Sequence, residues 1–330
     1  MRQNNPGDTQ SPLVDIPTET VDACLVCGGE RRQPLFWGHD DRYGCPGSYP
    51  VVECLGCGLA YLAIRPQASV LAHIYQTYYS PQLKKTGGSC LGSFKQRIKK
   101  SIIGRFYWEL VNPPDNLYRT FQLKPGMRVL DVGSGLPVAE VPRFVQAGGA
   151  WVGVEIDACI CRALEAKGLV AYCGTLADFS QTNPNPFDCM VLSQVIEHIY
   201  NPREFMRLAR DLLKPGGMIV LSCPNYDSFL RRHCKERWLH WHVPYHVAQF
   251  NRRTLALLAE ASGLRLTRFR TVTPSNWYAA QVQLGRGLPY QEGWLRAKNR
   301  LNQRLLDKRL ASLHNSDLGD ALVANLERVL

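Results

Sequence analysis

Short apolar runs alternate with helix-like stretches from residue 127 onward, and this alternation limits the fold more than any other feature of the chain. Near-continuous runs of Val, Ile and Leu are typical of strands covered by helices on both faces. The pattern therefore predicts an α/β fold with a parallel sheet and crossover helices. The predicted strands are Arg128–Val132, Trp151–Glu155, Leu169–Tyr172, Cys189–Leu192, Met218–Ser222, Leu264–Val272 and Ala321–Leu326. The predicted helices are Val138–Ala147, Ala158–Lys167, Asn201–Leu213 and Arg252–Ser262.

The first two predicted strands carry acidic residues beside a glycine-rich turn. Asp131 lies near the end of the first strand, and Gly133 and Gly135 follow it. Glycines in such a turn let the backbone approach a ligand closely, and the acidic residue can accept a hydrogen bond from a ligand ammonium. Glu155 ends the second strand, where a carboxylate can bind both hydroxyls of a ribose.

Two Cys-x-x-Cys-Gly motifs lie near the N-terminus and contain Cys24, Cys27, Cys54 and Cys57. Each pair can present two thiolates to one metal ion, and the glycine after it can adopt a backbone conformation closed to other residues. Four sulfurs in a tetrahedral set suit Zn²⁺, so the sequence predicts a structural zinc site in a zinc ribbon. Cys45, which lies between the motifs, is a substitute ligand, and two unrelated Cys pairs are the alternative interpretation.

Four motifs of the central block occur in a fixed order: Leu-Asp-Val-Gly-Ser-Gly from residue 130, Gly-Val-Glu from residue 153, Phe-Asp at residue 187 with Glu-His at residue 197, and Leu-Lys-Pro-Gly-Gly from residue 213. With these motifs the chain resembles the class I S-adenosylmethionine-dependent methyltransferases. The resemblance implies a Rossmann-like sheet of seven strands whose last two form an antiparallel edge. Residues 265–272 and 320–328 are then expected to be neighbours, with a helical insertion at residues 273–319.

The resemblance also implies S-adenosylmethionine as the cofactor and assigns roles to residues. It places the methionine end at Asp131, Gly133 and Gly135, the ribose at Glu155, the adenine at Thr175, Leu176 and Asp178, and the sulfonium and methyl acceptor beside Ser193 and Gln194. The chain departs from the family at Pro137, where a third glycine is common. A metal-assisted subset has Glu-x-x-Glu-His after strand four, and Gln194 replaces its first Glu. This departure argues against a catalytic metal bound through Gln194, Glu197 and His198.

A narrower resemblance concerns the acceptor. The four-Cys module, the Glu-His pair, Pro224-Asn225 and a His-rich segment at residues 238–246 resemble bacterial methyltransferases that act on sugars, polysaccharide precursors and other secondary metabolites. The acceptor implied is a small molecule or glycoside. A hydroxyl or carbon acid needs a general base, and the candidates are His198, His242, His246 and Tyr245. For His198 the alternative is a structural bond to the backbone. His240, His242 and His246 could bind a metal, but the Pro and two Trp residues among them favour a wall of the substrate pocket.

Positive charge is unevenly distributed along the chain. The formal net charge is +11, and the excess lies in residues 84–128 and 231–330, on both sides of a mildly acidic centre. Such a pattern attracts nucleic acid, anionic lipids or phosphorylated molecules, or simply keeps the protein soluble. Residues 294–310 are predicted to form a basic amphipathic helix, which we interpret as a lid over the active site. Alternatively it lies on a membrane surface together with residues 94–108.

The sequence divides into four regions: a flexible tail at residues 1–20, a zinc-ribbon module at residues 21–66, a helical linker or cap at residues 67–119, and a methyltransferase domain at residues 120–330. No secretory signal precedes residue 20, and no run reaches the roughly 20 apolar residues that cross a bilayer. We therefore expect a cytoplasmic protein, with peripheral contact with the inner membrane face as an alternative. An RNA methyltransferase and an inactive cofactor-binding scaffold are the competing functions, and the sequence does not define the oligomeric state.

Overall fold

The computed structural model describes residues 15–79, 117–285 and 316–329. Its N-terminal part is built from short antiparallel strands. They are β1 (Thr18–Thr20), β2 (Arg32–Gly38), β3 (Tyr49–Cys54), β4 (Ala60–Leu62) and β5 (Ile64–Pro66). Strands β2, β3 and β4 form a meander, and β1 pairs with β5. Residues 18–20, predicted to belong to a flexible tail, are therefore part of the ordered N-terminal region.

A seven-stranded sheet forms the centre of the molecule. Its strands are β6 (Arg128–Val132), β7 (Ala150–Glu155), β8 (Val170–Cys173), β9 (Phe187–Ser193), β10 (Leu213–Pro224), β12 (Leu264–Val272) and β13 (Ala321–Arg328), while β11 (Ala248–Gln249) belongs to the N-terminal sheet. The spatial order is β12-β13-β10-β9-β6-β7-β8, and β13 is antiparallel to both of its neighbours. The register runs from Leu264 opposite Arg328 to Val272 opposite Ala321. The predicted α/β fold and its antiparallel edge are confirmed.

Helices connect the strands and cover the sheet. They are α1 (Leu71–Ile74), α2 (Glu140–Gln146), α3 (Ala158–Glu165), α4 (Leu176–Ser180), α5 (Pro202–Asp211), α6 (Phe229–Cys234), α7 (Arg252–Ala261) and α8 (Ser275–Gly285). Asn201 and Asn251 accept a hydrogen bond from the first turn of α5 and α7, as helix-capping residues do. Among the described residues, no helix has both the length and the apolar character required to cross a bilayer.

The N-terminal part and the central domain share one hydrophobic core. Cys54 and Leu59 lie in the same cluster of buried side chains as Ile196 and Phe250. Because these residues come from both parts of the chain, the N-terminal module is packed on the central domain rather than tethered to it.

Hydrogen bonds join the two parts as well. Strand β11 of the central domain pairs with β4, with Ala248 opposite Tyr61, and the Tyr226 hydroxyl donates to Glu53 Oε2 over 2.6 Å. The predicted boundary between a module at residues 21–66 and a domain at residues 120–330 therefore passes through a sheet of four strands.

Several predicted segments lie wholly or partly outside the described residues. They include the basic segments at residues 94–108 and 294–310. Of the predicted linker at residues 67–119, the structure describes α1 and the π-helical turn Tyr75–Tyr79 in its first part, and the 3-10 turn Leu117–Arg119 at its end. Of the insertion at residues 273–319, it describes α8 and the segment from residue 316. The lid and the membrane-surface helix stay predictions.

Candidate functional site

The acidic tips of β6 and β7 meet at the carboxyl edge of the central sheet. Gly133 and Gly135 follow β6 with positive φ angles of 64° and 54°, a conformation that favours glycine. A Cβ atom on Gly133 would lie 2.8 Å from Val195 Cγ2. The Gly135 amide donates to Glu155 Oε2 over 3.0 Å. The structure therefore brings Asp131, Gly133, Gly135 and Glu155 together, as the sequence predicts.

Asp131 accepts a hydrogen bond from a buried tyrosine, which in turn accepts one from a tryptophan. The Trp151 Nε1 atom donates to the Tyr118 hydroxyl over 2.6 Å, and that hydroxyl donates to Asp131 Oδ2 over 2.6 Å. Burial raises the pKa of Asp131 to about 7; the Tyr118 hydrogen bond opposes the rise, and the charge of Glu155 adds to it. A cationic ligand beside Asp131 would favour its ionised form.

Glu155 accepts three backbone hydrogen bonds. Besides Gly135, the amides of Ile156 and Asp157 donate to its Oε1 atom over 2.8 and 3.2 Å. A carboxylate has about four lone-pair sites, so this arrangement fixes the side chain and leaves little accepting capacity. A ribose hydroxyl would use the remaining site or replace one of the amides.

The predicted adenine-binding residues lie at the start of α4. The Thr175 hydroxyl donates to Asp178 Oδ2 over 2.6 Å, and the Asp178 amide donates to Thr175 Oγ1 over 3.1 Å. The Thr175 amide also donates to Asp178 Oδ2 over 3.0 Å, and the two amide bonds together form a capping box. The hydroxyl and amide of Thr175 that donate to the carboxylate hold the pKa of Asp178 below its usual value. Leu176 is buried in the core. The side chains of Thr175 and Asp178 thus stabilise the helix start, and adenine binding there stays a prediction.

Ser193 and Gln194 follow β9 in the predicted position. Ser193 is exposed at the strand end. Gln194 has a φ of 56°, and its side-chain Nε2 donates to Ser222 Oγ over 3.1 Å. The Gln194 amide group therefore fixes the loop against β10.

A Glu-His pair ends the next short turn, Ile196–His198. His198 Nδ1 lies 3.0 Å from the Tyr245 carbonyl oxygen and 2.9 Å from the Tyr75 hydroxyl. Burial lowers the pKa of His198 to about 4, so the ring is neutral at physiological pH. Glu197 is fully buried, and burial raises the pKa of its carboxyl to about 8.

The predicted acceptor-side residues form one aromatic group, here called the histidine cluster: His198, His242 and His246, with Tyr245. The His198 and His246 rings are 4.6 Å apart, and the His242 ring lies 4.7 Å from His246 and 4.8 Å from Tyr245. His246 Nδ1 donates to the His240 carbonyl over 2.8 Å. Burial lowers the pKa of both His242 and His246. The structure therefore brings all four candidate bases together.

The imidazole of His240 lies apart from the histidine cluster. Its Nε2 atom is 3.1 Å from Asp320 Oδ2, and Asp320 Oδ1 also accepts from Trp238 Nε1 over 2.8 Å. A metal site made of His240, His242 and His246 is therefore not supported, because the first ring is paired with a carboxylate elsewhere.

Comparison with known proteins identifies the central domain. Residues 107–268 match a family model described as a methyltransferase domain, and the four motifs and the glycine loop fall within this region. By this match, residues 107–268 carry a methyltransferase domain. A solved [4+2]-cyclase, SpnF, has the same fold: it is 14% identical with a TM-score of 0.50, and the match covers 81% of this chain and 98% of that chain.

Curated relatives match part of the methyltransferase domain. Proteins named ubiquinone biosynthesis O-methyltransferase from Roseobacter denitrificans and Serratia proteamaculans are 31% and 32% identical over 133 and 105 residues. These matches cover 39% and 30% of this chain. They span 50% and 44% of the relatives, so the chain covers half or less of their length.

Some residues that shape the site were missed by sequence reasoning. Tyr118 binds Asp131, and Tyr75 contacts His198, yet neither is in a motif. The helical linker that contains both residues gave no pattern that points to the site. Only contacts across the fold reveal them, because each partner lies on a distant element.

The four-Cys group of the N-terminal module has the geometry of a metal site. The Cys24 and Cys57 sulfurs are 3.5 Å apart, as are those of Cys27 and Cys54. All four ligand atoms lie within 4.8 Å of one another. A zinc tetrahedron with Zn–S bonds of about 2.3 Å needs sulfurs about 3.8 Å apart, so the residues fit Zn²⁺. Cys45 is buried in a different cluster and is not a substitute ligand.

Both Cys motifs adopt the same turn. The Gly28 and Gly58 amides donate to the carbonyls of Cys24 and Cys54 over 2.9 and 2.8 Å. Their φ angles are 74° and 83°. The glycine after each pair is therefore required by the backbone, as the sequence predicts.

Proposed function

We propose that this protein transfers the methyl group of S-adenosylmethionine to a hydroxyl of a small molecule, of the class of sugars, polysaccharide precursors or secondary metabolites. The methyltransferase domain supports the cofactor. The names of the relatives, which are O-methyltransferases, support oxygen as the acceptor atom. The resemblance of the His-rich segment and the four-Cys module to bacterial sugar methyltransferases supports a sugar-like acceptor.

One observation carries the proposal: the histidine cluster adjoins the tip of β9. His198 lies five residues after Ser193, and its ring contacts His246. Ligands bind at the carboxyl edge of an open parallel sheet, so the predicted cofactor residues and the candidate bases share one edge. Methyl transfer needs this proximity, because acceptor, methyl and sulfur must lie in line.

The step forms an O–CH₃ bond and breaks the S–CH₃ bond, while the hydroxyl proton passes to a base. The rings of His198 and His246 are neutral, because burial lowers the pKa of each. A neutral imidazole has a lone pair that can accept this proton. General-base assistance of this kind contributes about 10²–10⁴-fold to the rate.

The test uses two measurements on the full chain. Titration calorimetry should detect S-adenosylmethionine binding. Mass spectrometry of a cell extract incubated with the protein and methyl-deuterated cofactor should show a product with the isotopic shift. A chain that binds no cofactor contradicts the proposal. A chain that binds cofactor but yields no shifted product across extracts and a sugar panel supports the scaffold alternative.

The four-Cys group is proposed to hold a structural zinc ion. Support comes from the sulfur distances and from the two matching turns. Because Cys54 and Leu59 are part of the core shared with the central domain, this ion would stabilise the packing of the N-terminal module on that domain. Metal analysis of the purified protein tests it, with about one zinc per chain as the minimum expected.

A further inference from the structure

Two free thiols lie beside the strand end that carries Glu155. Cys161 is part of α3 and is 4% exposed, whereas Cys173 ends β8 and has an exposed side chain. We propose that Cys161 and Cys173 are a redox-active pair, which a hydroperoxide converts into a disulfide next to the predicted ribose-binding carboxylate.

The alternation of side chains along β8 places both thiols on the same face of the central sheet. Ala171 of β8 packs in one hydrophobic cluster with Leu164 of α3. Tyr172, the next residue of the strand, packs in a different cluster. Successive side chains of a strand point to opposite faces, so Cys173 lies on the same face as Ala171. That is the face covered by α3, which contains Cys161.

The direction of α3 brings the two cysteines to the same level. The helix returns the chain from β7 to β8, and these strands are parallel, so α3 runs antiparallel to β8. The step back along the helix from Leu164 to Cys161 is about 4.5 Å. The step forward along the strand from Ala171 to Cys173 is about 6.6 Å in the same direction. Cys161 therefore lies next to Cys173 where α3 packs on β8.

Contacts with the backbone of Glu155 support this position. Cys161 Sγ donates to the Glu155 carbonyl over 3.4 Å, and the Gly174 amide donates to the same oxygen over 2.9 Å. Cys173, which precedes Gly174, is the partner of Glu155 in the pairing of β7 with β8. Both cysteines are thus adjacent to one peptide group of the cofactor edge.

The two thiols differ in accessibility and ionisation. Burial raises the pKa of Cys161 to about 12, and the Cys173 thiol adds to the rise. The effect of one thiol on the pKa of the other agrees with the packing of α3 on β8. Because Cys161 is buried and protonated while Cys173 is exposed, Cys173 is the thiol that reacts first with an oxidant.

The reaction balances in two steps. The Cys173 thiolate attacks one oxygen of the hydroperoxide, so that an S–O bond forms, the O–O bond breaks, and the leaving oxygen takes the thiol proton. The Cys161 thiol then attacks the sulfenic sulfur: the S–S bond forms, the S–O bond breaks, and the second thiol proton leaves with the hydroxyl as water. The two thiols lose two electrons, which reduce the peroxide.

The disulfide should weaken ligand binding at the cofactor edge, and this consequence rests on the proposed function. A disulfide holds its sulfurs about 2.0 Å apart and would join α3 to the end of β8. Ile156 and Asp157, whose amides orient the Glu155 carboxylate, lead directly into α3. Thr175 of the predicted adenine site follows β8. Because the bond would shift both segments, we expect S-adenosylmethionine to bind at least about tenfold more weakly to the oxidised protein.

The experiment maps the disulfide in the full chain, with the four-Cys group loaded with Zn²⁺ so that its thiolates are protected. The protein is treated with hydrogen peroxide, its remaining thiols are alkylated, and its peptides are analysed by mass spectrometry without reduction. The wild type should yield a peptide pair linked through Cys161 and Cys173, which a dithiol reductant separates. The matched control Cys159→Ser changes an exposed cysteine at the start of the same helix and should keep this link.

Two variants assign the steps to the two thiols. Cys161→Ala should stop the reaction at a sulfenic acid on Cys173, which dimedone labels. Cys173→Ser should yield neither the link nor the label, and it changes an exposed side chain, so its fold should be retained even if the buried substitution unfolds the protein. The proposal is overturned if both cysteines of the wild type stay free to be alkylated after treatment, or if Cys173 is linked to Cys159 instead.

Calorimetry with S-adenosylmethionine separates this proposal from the proposed function. Oxidised wild type should bind the cofactor more weakly, recover on reduction, and differ from Cys173→Ser, whose affinity should not respond to peroxide. Equal affinity of the linked and reduced proteins would contradict the effect on the cofactor edge. Absence of binding in the reduced wild type would contradict the proposed function, while the linked peptide would still decide whether the pair forms.

Discussion

The cofactor edge and the histidine cluster differ in how their polar groups are held. At the cofactor edge, Asp131 and Glu155 accept hydrogen bonds from Tyr118 and from three backbone amides. Beside the histidine cluster, the buried Glu197 carboxyl has no hydrogen-bond donor from another residue in the part of the chain that the structure describes. The carboxylates of the cofactor edge are thus hydrogen-bonded by neighbouring residues, whereas the Glu197 carboxyl is not, among the residues described.

The two sites also differ in what positions them. The cofactor edge follows from consecutive strands β6 and β7, which are neighbours in the sheet. The histidine cluster depends on β11, which pairs with β4 of the N-terminal sheet, and on Val247, whose carbonyl accepts from the Leu62 amide over 3.1 Å. Cys54 of the four-Cys group ends β3, which pairs with β4, and β4 pairs with β11 next to His246. Backbone hydrogen bonds of two strand pairs therefore connect the four-Cys group to the histidine cluster. This difference predicts that damage to the N-terminal module affects one site and spares the other.

The largest expected effect comes from breaking the four-Cys group. Cys54→Ser should remove its metal and lower the free energy of unfolding by at least about 3 kcal/mol, because structural zinc contributes directly to folding. Thermal unfolding and metal analysis measure both. At temperatures where the variant stays folded, cofactor affinity should change less than about threefold. The control Cys159→Ser changes an exposed cysteine and should stay within about 0.5 kcal/mol of wild type. If Cys54→Ser weakened cofactor binding by much more than about threefold, the N-terminal module and the cofactor edge would not be separate.

The reverse experiment damages only the cofactor edge. Gly133→Ala places a Cβ atom 2.8 Å from Val195 Cγ2 in a residue with a φ of 64°, so the loop must shift. We expect S-adenosylmethionine to bind about tenfold more weakly, a change of about 1.4 kcal/mol. Gly126→Ala is the matched control, since its φ is 79° but no neighbour lies within 4 Å. It shares the backbone strain without the clash, so its dissociation constant should match wild type. Similar weakening in both variants would show that strain alone is responsible.

The contrast also explains what the sequence could predict. Local features were predictable: the glycines after each Cys pair, the turn after β6 and the acidic ends of β6 and β7 are all set by short-range backbone geometry. The strands were predictable as short apolar runs that alternate with helices, and the antiparallel edge of β12 and β13 was predicted from the family resemblance. Tyr118 and β11 were not, because their partners, Asp131 and β4, are fixed only by packing between distant segments.

A pH titration examines the ionisation of the cofactor edge. Burial raises the pKa of Asp131 to about 7, so the folded protein binds a proton there that the unfolded chain releases well below that pH. Ionisation of Asp131 therefore costs stability as the pH rises through about 7, while it favours a cationic ligand. Cofactor affinity should rise between pH 6 and 8, by at most about tenfold per unit. Because the amino group of the cofactor itself titrates near pH 8, the measured quantity is the difference from Asp131→Asn. Parallel curves for the two proteins would contradict the assignment.

The smallest expected effect compares two tyrosines with the same local chemistry. Tyr118 and Tyr226 each donate to a carboxylate over 2.6 Å, the first to Asp131 at the cofactor edge and the second to Glu53 in the N-terminal sheet. Tyr226→Phe and Tyr118→Phe should each lower the free energy of unfolding by about 1.5–3 kcal/mol, the usual contribution of a hydrogen bond to a charged group. Their effects on the cofactor should differ. Only Tyr118→Phe removes a bond that lowers the pKa of Asp131, so only that variant should move the pH dependence of cofactor binding upward. If Tyr226→Phe also moved the pH dependence of cofactor binding, the N-terminal module would influence the cofactor edge, because the Tyr226 hydroxyl donates to Glu53 and not to Asp131.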